Sequence, residues 1–300
     1  MNGIDISHWQ GGLNLANVSA DFVIMKATEG TYYVDDRMEE FFAAAQKTGK
    51  LCGLYHFASG YNGAKKEAQF FVDHIKDKIG KAILALDWEA DAIRKGVSYA
   101  KEFLDEVYAL TGVRCAVYMS KSITRDFDWS SVAVDYPLWV AQYANNNPVY
   151  GYQDNPWTDK KGCGAWEEPI IFQYTSSGYL PGWKNRLDLD KCYLNAYEWQ
   201  TMQGGEVVER PDVPLKSVEE VADEVWAGKW GNGADRIRQL TDAGYDFSAV
   251  QEEVNIIAAA KDVIAGKYGN GAARRVKLAA AGYDYDRVQK KVNELLGVNV

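Results

Sequence analysis

Three short segments gather carboxylates where an apolar run ends. Asp5 lies in GIDIS, Asp87 and Glu89 lie in ILALDWEA, and Asp188 and Asp190 lie in RLDLDKCY. Side chains alternate faces along a strand, so Asp87 and Glu89 share one face and Trp88 takes the other. Two acids on one face perturb each other: one carboxyl keeps its proton toward neutral pH while the other stays ionised. Cleavage of a glycosidic bond needs that division, an acid for the leaving oxygen and an anion to support an oxocarbenium-like transition state. The spacing alone is also compatible with a solvated or helix-capping pair, and Asp188 with a turn.

Other chemistries find less support. The histidines are His8, His56 and His74, with no H-E-x-x-H, so a zinc hydrolase is disfavoured and neither metal nor cofactor is expected. Cys52, Cys115, Cys163 and Cys192 form no C-x-x-C pair and read as free thiols of a protein folded in the cytosol. A net charge of −9 opposes general nucleic-acid binding, which needs a basic face. No apolar run approaches the roughly 18–20 residues of a membrane span. The start, MNGIDISHWQ, has neither the basic end nor the apolar stretch of a secretory signal.

The acids must be placed by a scaffold, and the first 202 residues alternate strand-like with helical stretches. Strands are expected at Gly3–Ile6, Phe22–Lys26, Cys52–Phe57, Ile83–Asp87, Ala116–Met119, Leu138–Tyr143 and Ile170–Gln173. Helices are expected at Glu39–Lys47, Ala64–Ile79 and Tyr99–Leu110, the second with Ala68, Phe71, Val72 and Ile75 at helical spacing. This alternation predicts an α/β domain with a largely parallel sheet, and its length favours a barrel. In such a barrel functional side chains collect at the C-terminal strand ends, where these acids fall.

Seven motifs in order resemble glycoside hydrolase family 25, the muramidases of phage lysins and some bacterial autolysins. They are GIDISHWQG, F-V-I-M-K-A-T-E-G at Phe22–Gly30, Y-H-F at Tyr55–Phe57, ALDWE, L-W-V-A-Q-Y at Leu138–Tyr143, F-Q-Y-T at Phe172–Thr175 and LDLDKCY, and they cover essentially residues 1–200. The resemblance implies an irregular (β/α) barrel with fewer helices than a full eightfold one. It implies hydrolysis of the β-1,4 bond between N-acetylmuramic acid and N-acetylglucosamine, with Glu89 as general acid and Asp5, Asp87 and Asp188 as the site's other acids. The family's last motif commonly reads D-L-N; here its third residue is Asp190. Asp188, in the first position, is favoured as the one facing sugar.

Aromatic residues make up 13% of the chain, and sugar faces pack on aromatic rings. Tyr55, Tyr118, Trp139 and Tyr174 are candidate subsite walls, with packing inside the barrel as the alternative. Gln142 and Gln173 are candidate partners of N-acetyl groups. His8 and His56 are read as structural.

Past residue 202 the pattern changes. QGGEVVERPDVPL has linker composition, assigned to residues 203–216. Then GKWGNGADRIRQLTDAGYDFSAVQEEVN and GKYGNGAARRVKLAAAGYDYDRVQKKVN recur at a 38-residue offset. Each copy reads as three short helices, repeat one over 217–255 and repeat two over 256–300. Ser217 with Glu220 and Ser248 with Gln251 are capping boxes, Asp286 with Gln289 takes the second pair's place in repeat two, and Gly244 is a stop. Both copies keep an aromatic, a Gly-Asn-Gly loop and an arginine: Trp230, Asn232 and Arg236, then Tyr268, Asn270 and Arg274. Bare loop amides beside an arginine suit a carboxylated sugar-peptide; a glycine turn, a core aromatic and a solvated arginine are the plainer alternative. The copies resemble the three-helix cell-wall-binding repeats of some phage lysins, which implies bacterial peptidoglycan as the partner. Repeat one carries −6 and repeat two +4, so the copies can dock on each other or bind an anionic wall unequally.

A wall enzyme without a signal is expected to wait in the host cytoplasm until a membrane pore admits it to the wall. The competing readings are a catalytically dead carbohydrate-binding protein, an amidase or peptidase, and a chitin-cleaving glycosidase.

Overall fold

The computed structural model describes residues 1–204, 216–233, 236–237, 239–240, 243–245 and 247–298. All but the ends of the expected linker lies outside the described residues. The chain divides into two compact units, Met1–Val208 and Glu209–Val300.

The first unit is a closed eight-stranded barrel. Around the ring run β1 (Asn2–Ile6), β2 (Phe22–Glu29), β4 (Leu51–Phe57), β5 (Ile83–Asp87), β6 (Ala116–Ser120), β7 (Leu138–Ala141), β9 (Ile171–Tyr179) and β10 (Leu187–Cys192), which returns to β1. The strands are parallel except β10, which is antiparallel to both neighbours. Short β3 (Tyr33–Val34) and β8 (Val149–Tyr150) pair outside the ring with β2 and β9. Helices α1 (Met38–Lys47), α2 (Ala64–Ile75) and α3 (Val97–Thr111) fill three crossovers. Only the short α4 (Ile123–Asp126) and α5 (Ser130–Ala133) link β6 to β7, and no helix links β7 to β9, which makes the barrel irregular.

Strand alternation sorts the apolar residues into two layers. Val23, Met25, Leu54, Leu84, Leu86, Val117 and Val140 face outward into a core shared with Phe41, Phe71 and Phe103 of the helices. Phe22, Ile24, Ile83, Ala85, Ala116 and Ile171 face inward and fill the barrel's N-terminal half. Trp199 of α6 (Ala196–Met202) completes that inner layer: it is fully buried, its ring lies tilted against Phe22 with centroids 4.9 Å apart, and it donates to the Cys52 carbonyl at 3.3 Å. Gly3 is required here, because a Cβ would stand 2.4 Å from the Phe22 ring. With the lower half packed solid, the remaining space lies at the C-terminal strand ends.

In the second unit, α7 (Val218–Trp226) opens with the expected capping box, Ser217 and Glu220 each bonding the other's backbone N–H. Residues 236–237 and 239–240 are helical. The next helix, α8 (Phe247–Ile264), runs straight across the expected junction at 255–256, so the two copies meet inside one helix. It starts at Phe247, which makes Ser248 its second residue rather than its cap. Then follow α9 (Gly271–Ala280) and α10 (Tyr285–Leu295). The cap of α10 is Asp284, which accepts from Arg287 N at 2.8 Å, two residues before the expected Asp286.

α8 serves two small cores. Val250, Val254 and Ile257 pack with Val221, Val225 and Leu240, whereas Ile256, Ala260 and Val263 pack with Leu278, Val288 and Val292. The opposite charges of the copies meet: Arg287 pairs with Glu252 and Glu253, and Lys291 with Asp223 at 3.0 Å.

Candidate active site

The open end of the barrel holds a cavity of about 340 Å³. Asp5 from β1, Asp87 from β5, Glu89 just beyond β5 and Asp188 from β10 all line it. Asp5 and Asp188 lie side by side in register. Trp88, between Asp87 and Glu89, is buried in the outer core, as alternation requires. Glu89 adopts an extended backbone (φ −147°), and the next residue, Ala90, is the one non-glycine with positive φ among the described residues (φ 50°). A left-handed alanine carries strain of about 1 kcal/mol, placed where the chain must leave β5 to hold Glu89 at the mouth.

The crowding of acids shows in their proton affinities. Burial, reinforced by the neighbouring Glu89, holds Asp87 well above the usual carboxylate range, and Lys26 opposes this. Burial raises Glu89 too, again against Lys26. Asp188 is pushed up to about 8, by burial first and then by Asp5 and Glu89. These carboxyls cannot all be ionised together, and a protonated carboxyl at neutral pH can act as a general acid. Asp87 Oδ1 is buried with no hydrogen-bond partner among the described residues.

Of the proposed sugar contacts, Tyr55, Tyr118, Trp139 and Gln173 line the cavity. Gln173 Nε2 donates to Asp5 Oδ2 at 2.7 Å, and the hydroxyls of Tyr118 and Tyr143 donate to its Oε1. Two expectations are corrected. Tyr174 follows the inward Gln173 on β9 and so faces outward, where it packs near Phe172 and accepts from Gln153 N. Gln142 clamps a neighbouring loop, accepting from Thr158 Oγ1 at 2.8 Å and Asp159 N at 3.0 Å.

Sequence reasoning missed Lys26, Phe57 and Tyr143, all in the lining. Parity would have found them: Lys26 follows the inward Phe22 and Ile24, Phe57 follows Tyr55, and Tyr143 follows Trp139 and Ala141. It also missed Trp9, 80% exposed at the rim and packed 4.6 Å from His8, whose Nδ1 contacts Asp35 at 3.2 Å.

In the repeats the arginines close their own loops. Arg236 donates to the Gly231 carbonyl and to Asn232 Oδ1, and Arg274 donates to Gly269, Asn270 and Gln289. Trp230 and Tyr268 pack against the two cores. The aromatic beside a shallow cavity of about 290 Å³ is instead Trp226, together with Asn232 and Arg236.

Residues 4–183 match the glycosyl hydrolases family 25, and residues 219–257 and 258–296 each match the CW_7 repeat. The chain belongs to glycosyl hydrolase family 25. It is 30% identical over 265 residues to the lysozyme of Streptococcus phage Cp-7, covering 85% of this chain and 69% of that one. It is 30% identical to the N,O-diacetylmuramidase of a Chalaropsis species, over 62% of this chain and 92% of that one. In structure it is similar to the catalytic domain of endolysin ply40 from bacteriophage P40 of Listeria monocytogenes, with TM-score 0.55 and 26% identity, covering 68% of this chain and 98% of that one.

Asp188 lines the cavity, whereas Asp190 is wholly enclosed and accepts from Trp139 Nε1 at 2.9 Å.

Proposed function

We propose that this family 25 domain is a lysozyme that hydrolyses the β-1,4 bond between N-acetylmuramic acid and N-acetylglucosamine, with Glu89 as general acid. The observation that carries the reading is a glycosidase-family barrel, packed through its N-terminal half, whose open end leaves four carboxyls facing one cavity, Glu89 at its mouth. Glu89, its proton retained by burial, protonates the leaving oxygen; Asp87 or Asp188 supports the positive charge at the sugar carbon, and Glu89 then takes a proton from water. Tyr55, Tyr118 and Trp139 are the sugar-facing walls, and Gln173 serves through Asp5.

The CW_7 copies bind peptidoglycan and keep the barrel near its substrate, with Asn232, Arg236 and Trp226 on the first copy and Asn270 and Arg274 on the second as the contact groups. Among the described residues no helix is long and apolar enough to cross a membrane. Release through a membrane pore during phage lysis fits a relative that is a phage lysozyme.

The test is digestion of purified peptidoglycan by wild type and Glu89→Gln, with mass spectrometry of the reduced products. Muramitol-ended fragments from wild type, lost by about 100-fold or more in the variant, support both bond and acid. Free amines point to an amidase, N-acetylglucosaminitol ends to another glycosidase, and equal rates remove Glu89 from the mechanism.

A further inference from the structure

The cavity beside the first Gly-Asn-Gly loop is lined by Val225, Trp226, Gly228, Asn232, Arg236 and Val254. A step of 38 positions along the chain returns the same residue for each of these except Trp226, whose counterpart is Ile264. Both side chains are 44% exposed, so neither is spent on a core. The two copies therefore share one loop and differ in the surface beside it. Trp226 is also capped from outside its own copy: Lys261 Nζ lies over its ring, 4.4 Å from the centroid. Lys261 follows the 255–256 junction on α8 and falls in the stretch that matches the second CW_7 copy. The counterpart of Lys261 is Asn299, which carries no charge.

Charge singles out the same residues. Acids on α7 and α8 are taken by other cations: Glu224 by Lys216 and Lys229, Asp223 by Lys291, Asp262 by Lys267, and Glu252 and Glu253 by Arg287. Among the described residues neither Arg236 nor Lys261 has a carboxylate partner. The bonds from Arg236 to the Gly231 carbonyl and Asn232 Oδ1 fix its guanidinium and leave its charge uncompensated. An open indole with two uncompensated cations suits a ligand that is part sugar and part carboxylate. The sugar's C–H face packs on the ring, and the cations take the carboxylate.

We propose that Lys261 of the second copy completes the binding site of the first, and that Trp226 and Lys261 make this the site that grips the sugar of a carboxylated sugar-peptide. The second copy, with Ile264 and Asn299 in those places, holds by its loop alone. This assignment rests on the reading of the repeats as peptidoglycan contacts and names which part of that ligand each copy takes. A first copy cut free of the second would keep its loop, arginine and indole but lose the cation over the ring.

The test uses the full chain and a soluble probe, N-acetylglucosaminyl-β-1,4-N-acetylmuramoyl dipeptide, whose sugars are joined in the order opposite to the bond the barrel is proposed to cut. Nitrogen-15 NMR follows the indole N–H signals, that of Trp226 being the one missing from Trp226→Ile. This variant installs the residue the second copy already carries, and unchanged signals from the other indoles check that it is folded. The Trp226 signal should move on titration. Affinity is read in every variant from Trp230, whose indole N–H bonds Glu224 in the same copy. Kd should rise about tenfold in Trp226→Ile and about threefold in Lys261→Gln, and recover in Lys261→Arg. Its salt dependence should be shallower in Lys261→Gln than in wild type. The Asn270 amide should report a Kd several-fold weaker for the second loop. A Trp226 signal that ignores the probe while Trp230 follows it, a Kd unchanged in Lys261→Gln, or equal Kd values at the two loops would overturn the proposal and leave wall binding standing. A probe that moves no repeat signal also overturns it, and the wall-binding reading falls too if the chain then fails to sediment with purified peptidoglycan.

Discussion

At the scale of single residues, the site separates groups that hold charge from groups that hold shape. Trp9 does neither: it is exposed at the rim, its ring braced by His8, and it is free to cover a sugar. Trp9→Ala should leave the melting temperature almost unchanged, because it removes little buried contact. It should raise KM on long glycan strands about fivefold, the equivalent of ~1 kcal/mol, with kcat retained, since a platform away from the acids binds ground and transition state alike. Equal KM on long strands would remove it from the substrate path. The acids that line the cavity were legible because D-W-E at a strand end is a chemical pattern. Tyr174 and Gln142 were misplaced because type was read without parity, and a one-residue step on a strand turns a side chain from cavity to outer core. Asp190 shows the converse: it looked like a site residue by type, and its depth below Asp188 could not be read from the motif.

At the scale of elements, the end of β4 is fixed by a buried carboxylate. Glu67 on α2 accepts from Ser59 N, Ser59 Oγ, Gly60 N, Tyr99 OH and the His56 ring, whose other nitrogen meets Thr28 of β2 at 2.8 Å. The turn so held packs on the segment that follows Glu89: a Cβ on Gly60 would stand 2.9 Å from Lys95, and Tyr61 bonds Asp91 at 2.6 Å. Glu67→Gln replaces an acceptor oxygen by a donor and strands at least one buried N–H or O–H. The expected cost is about 3 kcal/mol, a fall in melting temperature of roughly 6–12 °C. A loss under 2 °C on a thermal melt would show that the loop finds other partners. Strands with apolar periodicity were readable, whereas β10 was not. Leu187 and Leu189 do alternate with Asp188 and Asp190, but the alternation spans only four residues and the face turned into the barrel is acidic.

For the whole molecule, pH sets stability through opposed groups. Asp188 and Asp190 bind protons more tightly folded than unfolded, about 8 and about 7 against an ordinary 3.8. Their contribution is complete below pH ~4 and is lost as pH climbs through 7 and 8. Glu67 and Asp105 are held below their ordinary range, Asp105 by Lys101 and Tyr136 and Glu67 by His56 and Ser59, in each case against burial, so their contribution is lost in acid. The barrel should therefore melt highest near pH ~5–6 and lose several degrees by pH ~8.5, as scanning calorimetry can check. A maximum above pH 8 would contradict the raised acids. The repeats' helical composition was legible from caps and spacing, but that one helix runs through residues 255–256 was not, because no periodicity break or continuation marks a helix shared by two copies.

That junction has a consequence for reach. A helix of 18 residues spans about 27 Å, and α8 belongs to both copies. The two Gly-Asn-Gly loops are therefore held by a rod, not strung on a tether, and the pair acts as a ruler. Residues 293–296 of the second copy continue where α8 would, but Gly297 turns left-handed at φ 69°, where the first copy has Ala259 inside the helix. On the proposed reading of the loops as wall contacts, ligands spaced to suit the ruler would be gripped twice at once, and a wall whose anchoring groups are spaced otherwise would be held by one loop at a time.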